Sequence, residues 1–277
     1  MGRRLGQHFL QSHTVLGKIL AAAAVVPGEA VLEVGPGRGI LSEGLLAAGA
    51  RLTAVEVDPA LCAALRQRWG AHEAFRLVEG DILAADLAPE ALFGPEAPPA
   101  RYALVANLPY YLSTPFFFRV IAHRAYVARM VLMVQKEIAD RLVALPEAGK
   151  VYGSLSVVAH HAFAMEPLFA VPPGAFHPPP KVHSAVVALT PRPPVLGPAA
   201  EKAFLAHVKE LFTTRRKLML TGLRRRHPQL NAAQGERLAA LVGQRRAEAL
   251  SPAEHLEVFR LLQGPGPEGG AEPPGNP

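Results

Sequence analysis

The sequence predicts a doubly wound α/β domain with a mostly parallel sheet, followed by a small all-α domain. Three observations carry this. Short apolar runs alternate with helix-like segments from residue 14 to residue 134, the pattern of successive βαβ units. Prolines at 191, 193 and 194 then interrupt the chain. Beyond them apolar residues recur at helical spacing. A chain of 277 residues, half of them hydrophobic, is long enough for one such domain plus an appendage.

Residues 14–25 are rich in Ala and Leu and read as a helix. Ala30 to Val34 is a buried strand running into a Gly-rich turn, and Gly39 to Ala48 is the helix that follows. Arg51 to Val55 is the next strand, and Pro59 to Arg68 the next helix, with Pro59 suited to its first turn. Asp58 stands where a helix cap belongs. Phe75–Val78, Tyr102–Ala106 and Ala128–Val134 are further strands. Segments 163–170 and 182–190 read as closing strands, with the proline-rich stretch Pro172 to Pro180 between them. Helices are predicted over 199–212, 215–224, 234–242 and 252–262. From Gly264 the chain is Gly, Pro and Glu, a composition that predicts disorder.

The net charge of +6 is unevenly placed. Residues 1–189 hold 16 Lys and Arg against 15 Asp and Glu, whereas residues 190–262 hold 13 against 6. A basic surplus confined to one segment points either to a polyanionic partner or to a solvated basic helical surface. The triplets Arg215-Arg216-Lys217 and Arg224-Arg225-Arg226 fall in the predicted helices and read as phosphate contacts. The single cysteine, Cys62, excludes a disulfide framework and a Cys-based zinc site, and reads as core filler. His160-His161 has no acid or Cys at ligand spacing, so no metal is expected. The apolar run Ile19 to Val26 is too short to span a membrane, and Met1 to Gln7 holds no apolar leader, so a cytoplasmic protein without a membrane association is expected.

The strand over 30–34 runs into Glu33-Val34-Gly35-Pro36-Gly37-Arg38-Gly39. Dinucleotide folds use G-x-G-x-x-G to hold a pyrophosphate. Here the spacing is G-x-G-x-G, led by an acid two positions before Gly35, which suits a ligand without phosphates but with an amino-acid cation. S-adenosylmethionine is such a ligand. Glu56, 21 residues after Gly35 at the tip of the adjacent strand, can accept from both ribose hydroxyls. Asp81, at the next tip, can accept from the adenine amino group. Gly35, Gly37, Glu56 and Asp81 thus define the crevice of a Rossmann-like, S-adenosylmethionine-dependent methyltransferase sheet. Arg38 is expected to face solvent.

The strand over 102–106 delivers Asn107-Leu108-Pro109-Tyr110 to the same crevice. An exocyclic amino nitrogen on a purine is a poor nucleophile, because its lone pair is conjugated with the ring. Two acceptors aimed at its N–H bonds pull it toward pyramidal geometry. The Asn107 side-chain oxygen is one. The Leu108 or Pro109 carbonyl is the other, stiffened by proline. Tyr110 offers a face for stacking. The segment therefore points to an amino nitrogen on a planar ring as the methyl acceptor. Phe176, in a second proline-rich loop, is placed either to hold the other face of a flipped base or to anchor the core.

With Leu5-Gly6-Gln7-His8-Phe9-Leu10, Gln135-Lys136-Glu137 and Phe176-His177-Pro178-Pro179-Pro180-Lys181-Val182 added to those motifs, residues 3 to about 262 resemble the small-subunit ribosomal RNA adenine dimethyltransferases. The resemblance implies four methyl transfers from S-adenosylmethionine to two adjacent adenosines near the 3′ end of 16S rRNA in the 30S subunit. It implies cofactor contacts from His8, Leu10, Gly35, Glu56, Asp81 and Asn107, and an acceptor site lined by Asn107, Tyr110 and Phe176. Many relatives carry Asn where this chain has His8, and either side chain offers a polar contact. Leu108 would help set the room for a methyl group. The proline boundary gives a catalytic domain over 1–190 and a helical domain over 191–263, with 264–277 as a disordered tail; the resemblance implies that the helical domain binds RNA, and a monomer is expected. Competing functions are a large-subunit rRNA methyltransferase and a non-catalytic assembly or transcription factor of the same fold; a dehydrogenase lacks a hydride-handling His or Tyr-Lys pair near the crevice.

Overall fold

The computed structural model describes residues 8–264. The readings of Met1 to Gln7 and of the tail beyond Gly264 lie outside the described residues. The chain divides into two compact units. One runs through Val143 and takes up again over Ala162–Pro194; the other comprises Ala144–His161 and the chain from Val195.

The first unit is built on a seven-stranded sheet. Its strands in chain order are β2 (Ala30–Val34), β3 (Arg51–Glu56), β4 (Phe75–Glu79), β5 (Tyr102–Asn107), β6 (Val127–Gln135), β7 (Phe163–Val171) and β9 (Ser184–Pro191). A two-stranded sheet pairs β1 (Phe9–Leu10) with β8 (Phe176–His177). The spatial order is β4-β3-β2-β5-β6-β9-β7. Pairings from β4 through β6 are parallel, and β9 runs antiparallel to both β6 and β7. All of β2 is buried, and so is β5 up to Ala106, as a sheet covered on both faces requires. Its helices are α1 (His13–Ala23), α2 (Ile40–Ala47), α3 (Pro59–Trp69), α4 (Pro89–Phe93), α5 (Ser113–His123) and α6 (Lys136–Val143). Ser12 caps α1 by accepting from the Val15 amide, and Asp58 caps α3 by accepting from Ala60 and Leu61.

The order in which strands are added to the sheet reverses at β2. From β2 the chain goes to β3 on one side, and β5 lies on the other. Loops leaving the carboxyl ends of β2 and β5 therefore diverge, opening a crevice at the switch point. Because β9 is antiparallel, it starts at the edge where the parallel strands end. Its first residue, Ser184, registers with Gln135 and Val171, the last residues of β6 and β7.

The second unit contains α8 (Pro198–Thr213), α9 (Met219–Arg226), α10 (Ala232–Val242) and α11 (Pro252–Gln263), around a core that includes Leu211, Leu223, Leu238 and Val258. Capping boxes at Asn231/Gln234 and Ser251/Glu254 start α10 and α11. It also holds most of α7 (Ser154–Ala162), where a boundary at residue 190 placed none of this segment. The buried Tyr152 hydroxyl donates to the Leu250 carbonyl at 2.7 Å, and His161 Nε2 lies 3.1 Å from Glu201 Oε1. No Gly or Pro separates α7 from β7, so local pattern gives no sign that the chain leaves one unit for the other there. The helix expected over 215–224 begins instead at Met219, leaving Arg215, Arg216 and Lys217 in the preceding turn. Among the described residues no helix is long and apolar enough to cross a membrane.

Candidate active site

Every residue assigned to cofactor or acceptor from sequence lines one cleft at the switch point, with about 1060 Å³ of space that opens to solvent. On the donor side, Gly35 and Gly37 adopt positive φ of 64° and 58°. The Gly35 amide donates to the Val55 carbonyl at 2.9 Å, tying the loop to β3. A Cβ on Gly35 would stand 3.3 Å from Pro109 Cδ, and one on Gly37 would stand 3.1 Å from the Phe9 ring. These close approaches explain glycine at both positions better than any ligand argument alone.

Glu56 ends β3 and is 5% exposed. Its Oε2 accepts from the Gly37 amide at 3.1 Å, and its Oε1 from the Val57 and Asp58 amides at 2.9 and 3.0 Å. The carboxylate is thereby held fixed at the cleft wall. Asp81 follows β4, is exposed, and accepts from the Leu83 amide at 2.9 Å. Glu33 is 1% exposed within β2, and Ser42 Oγ donates to it at 2.6 Å. Burial pushes the Glu33 carboxyl up to about 8, against the Ser42 hydrogen bond and with a contribution from the charge of Glu56.

These charges decide what the cleft suits. Its walls carry Glu33, Glu56 and Asp81, while Arg38, the one Arg lining it among the described residues, is exposed and lays its guanidinium 4.5 Å over the Phe9 ring. A pyrophosphate would meet the carboxylates of Glu56 and Asp81, beside a Glu33 carboxyl that burial keeps protonated up to about pH 8. A ligand carrying a sulfonium and an ammonium fits that wall, and its neutral adenosine suits the apolar surface between them.

On the acceptor side, Asn107 ends β5 with its side chain making no hydrogen bond among the described residues. Leu108 is buried, its amide donating to the Met133 carbonyl at 3.0 Å. The Pro109 carbonyl accepts from the Leu112 amide at 2.9 Å and from Ser113 Oγ at 3.5 Å, which closes the turn into α5. The Tyr110 hydroxyl lies 3.0 Å from Ser184 Oγ.

The N-terminal segment reaches the cleft by an unexpected route. The stretch 172–180 is not simply a loop: Phe9 pairs with His177 and Leu10 with Phe176. His8 Nδ1 lies 2.8 Å from the Pro178 carbonyl, so that nitrogen is the donor, and the His8 ring centroid is 5.6 Å from that of Tyr110. Leu10 and Phe176 are both 5% exposed and belong to the core as well as to the cleft. Phe176 is thus a core anchor that also lines the cleft. Sequence reasoning missed Phe9, Tyr111 and Ser184. Tyr111 lines the cleft and is 55% exposed, and the Tyr110-Tyr111 doublet was its only local signal. Ser184 had none.

In the helical unit the two basic triplets separate. Arg215 pairs with Glu248 at 2.6 Å, and Arg226 with Glu210 at 2.7 Å. Arg216, Lys217 and Arg225 are exposed and have no ion-pair partner among the described residues. Cys62 is fully buried, its Sγ 3.5 Å from the Glu56 carbonyl.

Comparisons with known proteins agree with this geometry. Residues 2–264 match the family model described as Ribosomal RNA adenine dimethylase. A relative from Thermosynechococcus vestitus, named Ribosomal RNA small subunit methyltransferase A, is 40% identical over 269 residues, 94% of this chain and 97% of its own. Among solved structures, the 23S rRNA methyltransferase ErmE is similar with a TM-score of 0.68 and 27% identity, covering 92% of this chain and 99% of its own. A dimethyladenosine transferase from Plasmodium falciparum shares the fold, with a TM-score of 0.72 at 23% identity and coverage of 91% and 96%. The two motif-bearing walls of the cleft and these matches lead to one conclusion: the chain belongs to the ribosomal RNA adenine dimethylase family.

Proposed function

We propose that this protein dimethylates N6 of two adjacent adenosines near the 3′ end of 16S rRNA in the small ribosomal subunit, acting as a cytoplasmic monomer. The observation that carries the reading is the meeting of Gly35 with Pro109, which joins the donor loop to the Asn107-Leu108-Pro109-Tyr110 turn across one cleft. The methyl donor is S-adenosylmethionine, which when bound supplies an electrophilic methyl on a sulfonium. Glu56 and Asp81 would receive its ribose and adenine. Gly35, Gly37, His8 and Leu10 would line it, and Glu33 stands where its ammonium can be countered.

The acceptor adenine stacks on Tyr110 with Phe176 bounding the pocket. The Asn107 side-chain oxygen accepts one N6 hydrogen. Because the Pro109 carbonyl is engaged within its turn, the Leu108 carbonyl is the better placed second acceptor. N6 takes the methyl as the carbon–sulfur bond breaks, leaving the neutral thioether; the methylated N6, then acidic, releases its proton to solvent, so no general base has to act before attack. After the first transfer one N–H remains, and rotation about the C6–N6 bond must place the new methyl beside Leu108. Much of the rate enhancement then comes from in-line positioning. Arg216, Lys217 and Arg225 supply phosphate contacts.

The relatives named for the small subunit are more similar to this chain than the large-subunit ErmE is, 40% against 27% identity. Labelled S-adenosylmethionine offered with undermethylated small subunits, large subunits or free RNA tests the reading. Label mapping to an adenosine pair in small-subunit rRNA is expected. Label on large-subunit RNA, on cytosine or on nothing overturns it.

A further inference from the structure

We infer that Ser184 is a positioning residue for the acceptor base, acting through Tyr110. The inference rests on the proposed stacking of that base on Tyr110. The Tyr110 hydroxyl lies 3.0 Å from Ser184 Oγ, 74 positions away in the chain. Ser184 is fully buried at the start of β9, held in register between the ends of β6 and β7. Two neighbouring strands fix its backbone. Its hydroxyl has no other side-chain partner among the described residues.

The topology explains why this pair exists. Were β9 parallel to its neighbours, its first residue would lie at the opposite edge of the sheet. Being antiparallel, it delivers Ser184 to the edge where the loops after β2, β3 and β5 gather. The ring of Tyr110 hangs from a turn and has two rotatable bonds. A base that stacks on a freely turning ring must order the ring as well. The tether removes that cost before the base arrives. It also gives the buried Ser184 hydroxyl a partner, without which burial would be unfavourable. A phenol tethered in this way serves as a platform, and the His8 ring beside it narrows its movement further. Four successive transfers to bases of growing bulk make a fixed platform more valuable than a mobile one.

The test compares wild type, Ser184→Ala, Tyr110→Phe, the double variant and Ser184→Thr on undermethylated small subunits, with S-adenosylmethionine binding measured separately by calorimetry. Ser184→Ala and Tyr110→Phe should each lower kcat/KM for the subunit about tenfold, as loss of one hydrogen bond allows. The cofactor dissociation constant should stay within twofold. The double variant should be no worse than either single one, because both break the same bond. Ser184→Thr, which keeps a hydroxyl, should recover most of the loss. Activity of Ser184→Ala within twofold of wild type, or losses that multiply in the double variant, overturns the inference. If Ser184→Ala loses cofactor binding and so fails to fold, Tyr110→Phe decides alone: unchanged turnover refutes the tether, and a tenfold loss with intact cofactor binding supports it. A wild type that leaves small subunits unlabelled refutes the proposed substrate instead, and the same comparison moves to the RNA that is labelled.

Discussion

Gly35 packs its backbone against the ring of Pro109, so closely that a Cβ added to Gly35 would stand 3.3 Å from Pro109 Cδ. The residue that shapes the donor loop and the residue that stiffens the acceptor turn thus touch directly. Gly35→Ala must displace that ring and also hold a non-glycine residue at φ 64°, at a cost of about 1–2 kcal/mol. It should lower kcat/KM at least about tenfold and lower Tm by several degrees. Steady-state kinetics and thermal melts check both, and undiminished turnover would show that the close approach does not matter.

Asn107 stands at a strand tip with an uncommitted side chain. Asn107→Ala should therefore cost at least about 100-fold in kcat, the scale of removing one aligned polar group from a transition state. Tm should move by no more than about 2 °C, since the packing around it is unchanged. Near-normal kcat would remove Asn107 from the chemistry.

Glu33 predicts a pH dependence. Its folded pKa, about 8, lies above the ordinary 4.5, so the native state holds its proton more tightly than the unfolded chain does. Its contribution to stability is fully present below about pH 4.5 and is lost as pH rises toward about 8. In cofactor-free protein, Glu33→Gln should match wild type in Tm near pH 5 and exceed it at pH 8. Countering a bound ammonium requires the ionised form, so wild-type cofactor affinity should rise over the same window and the variant's should not. A flat Tm difference across pH would contradict the burial argument.

The helical unit carries the opposite device. Burial holds His207 and His255 neutral, lowering both to about 4, and the charge of His255 adds to the effect on His207. Among the described residues, His207 Nε2 and His255 Nδ1 are buried without a hydrogen-bond partner. A depressed pKa contributes stability that is present above the unfolded value of 6.5 and lost as pH falls toward about 4. Hydrogen exchange between pH 7 and 4 should show α8 and α11 losing protection before β2 and β5. His255→Gln should reduce that acid sensitivity. Simultaneous loss in both units would count against it.

Among the basic residues, exposure separates two outcomes. Arg216→Gln with Lys217→Gln should weaken rRNA binding and flatten its salt slope by about one for each phosphate no longer neutralised, leaving cofactor binding intact. Arg215→Gln, which breaks the pair with Glu248, should act on stability by under about 1 kcal/mol, because both partners are a third exposed. An equal fall in RNA affinity for all three would mean that Arg215 also touches the RNA.

Sequence alone determined the alternation of strands and helices from 14 to 134, the helical character of the chain after Pro194, and the residues that line the cleft. These are local properties. Apolar runs, prolines and the residue types at Gly35, Glu56, Asp81 and Asn107 act through immediate neighbours, and strand tips in an open α/β sheet fall at one edge by rule. Tertiary structure decided the rest. Helices α5, α6 and α7 went unread although each ends on a basic last turn, and the segment 144–161, which holds most of α7, is tied to the helical unit by Tyr152 and His161, bonded to residues about 100 and 40 positions away. The pairing of Phe9 and Leu10 with residues 176–177 is a two-residue ladder, too short to leave a periodicity. Ser184 meets Tyr110 only because β9 runs against its neighbours. Strand direction is set by the connection of the whole chain and not by the residues of the strand, so no reading of Ser184 in its own segment could have found that pair.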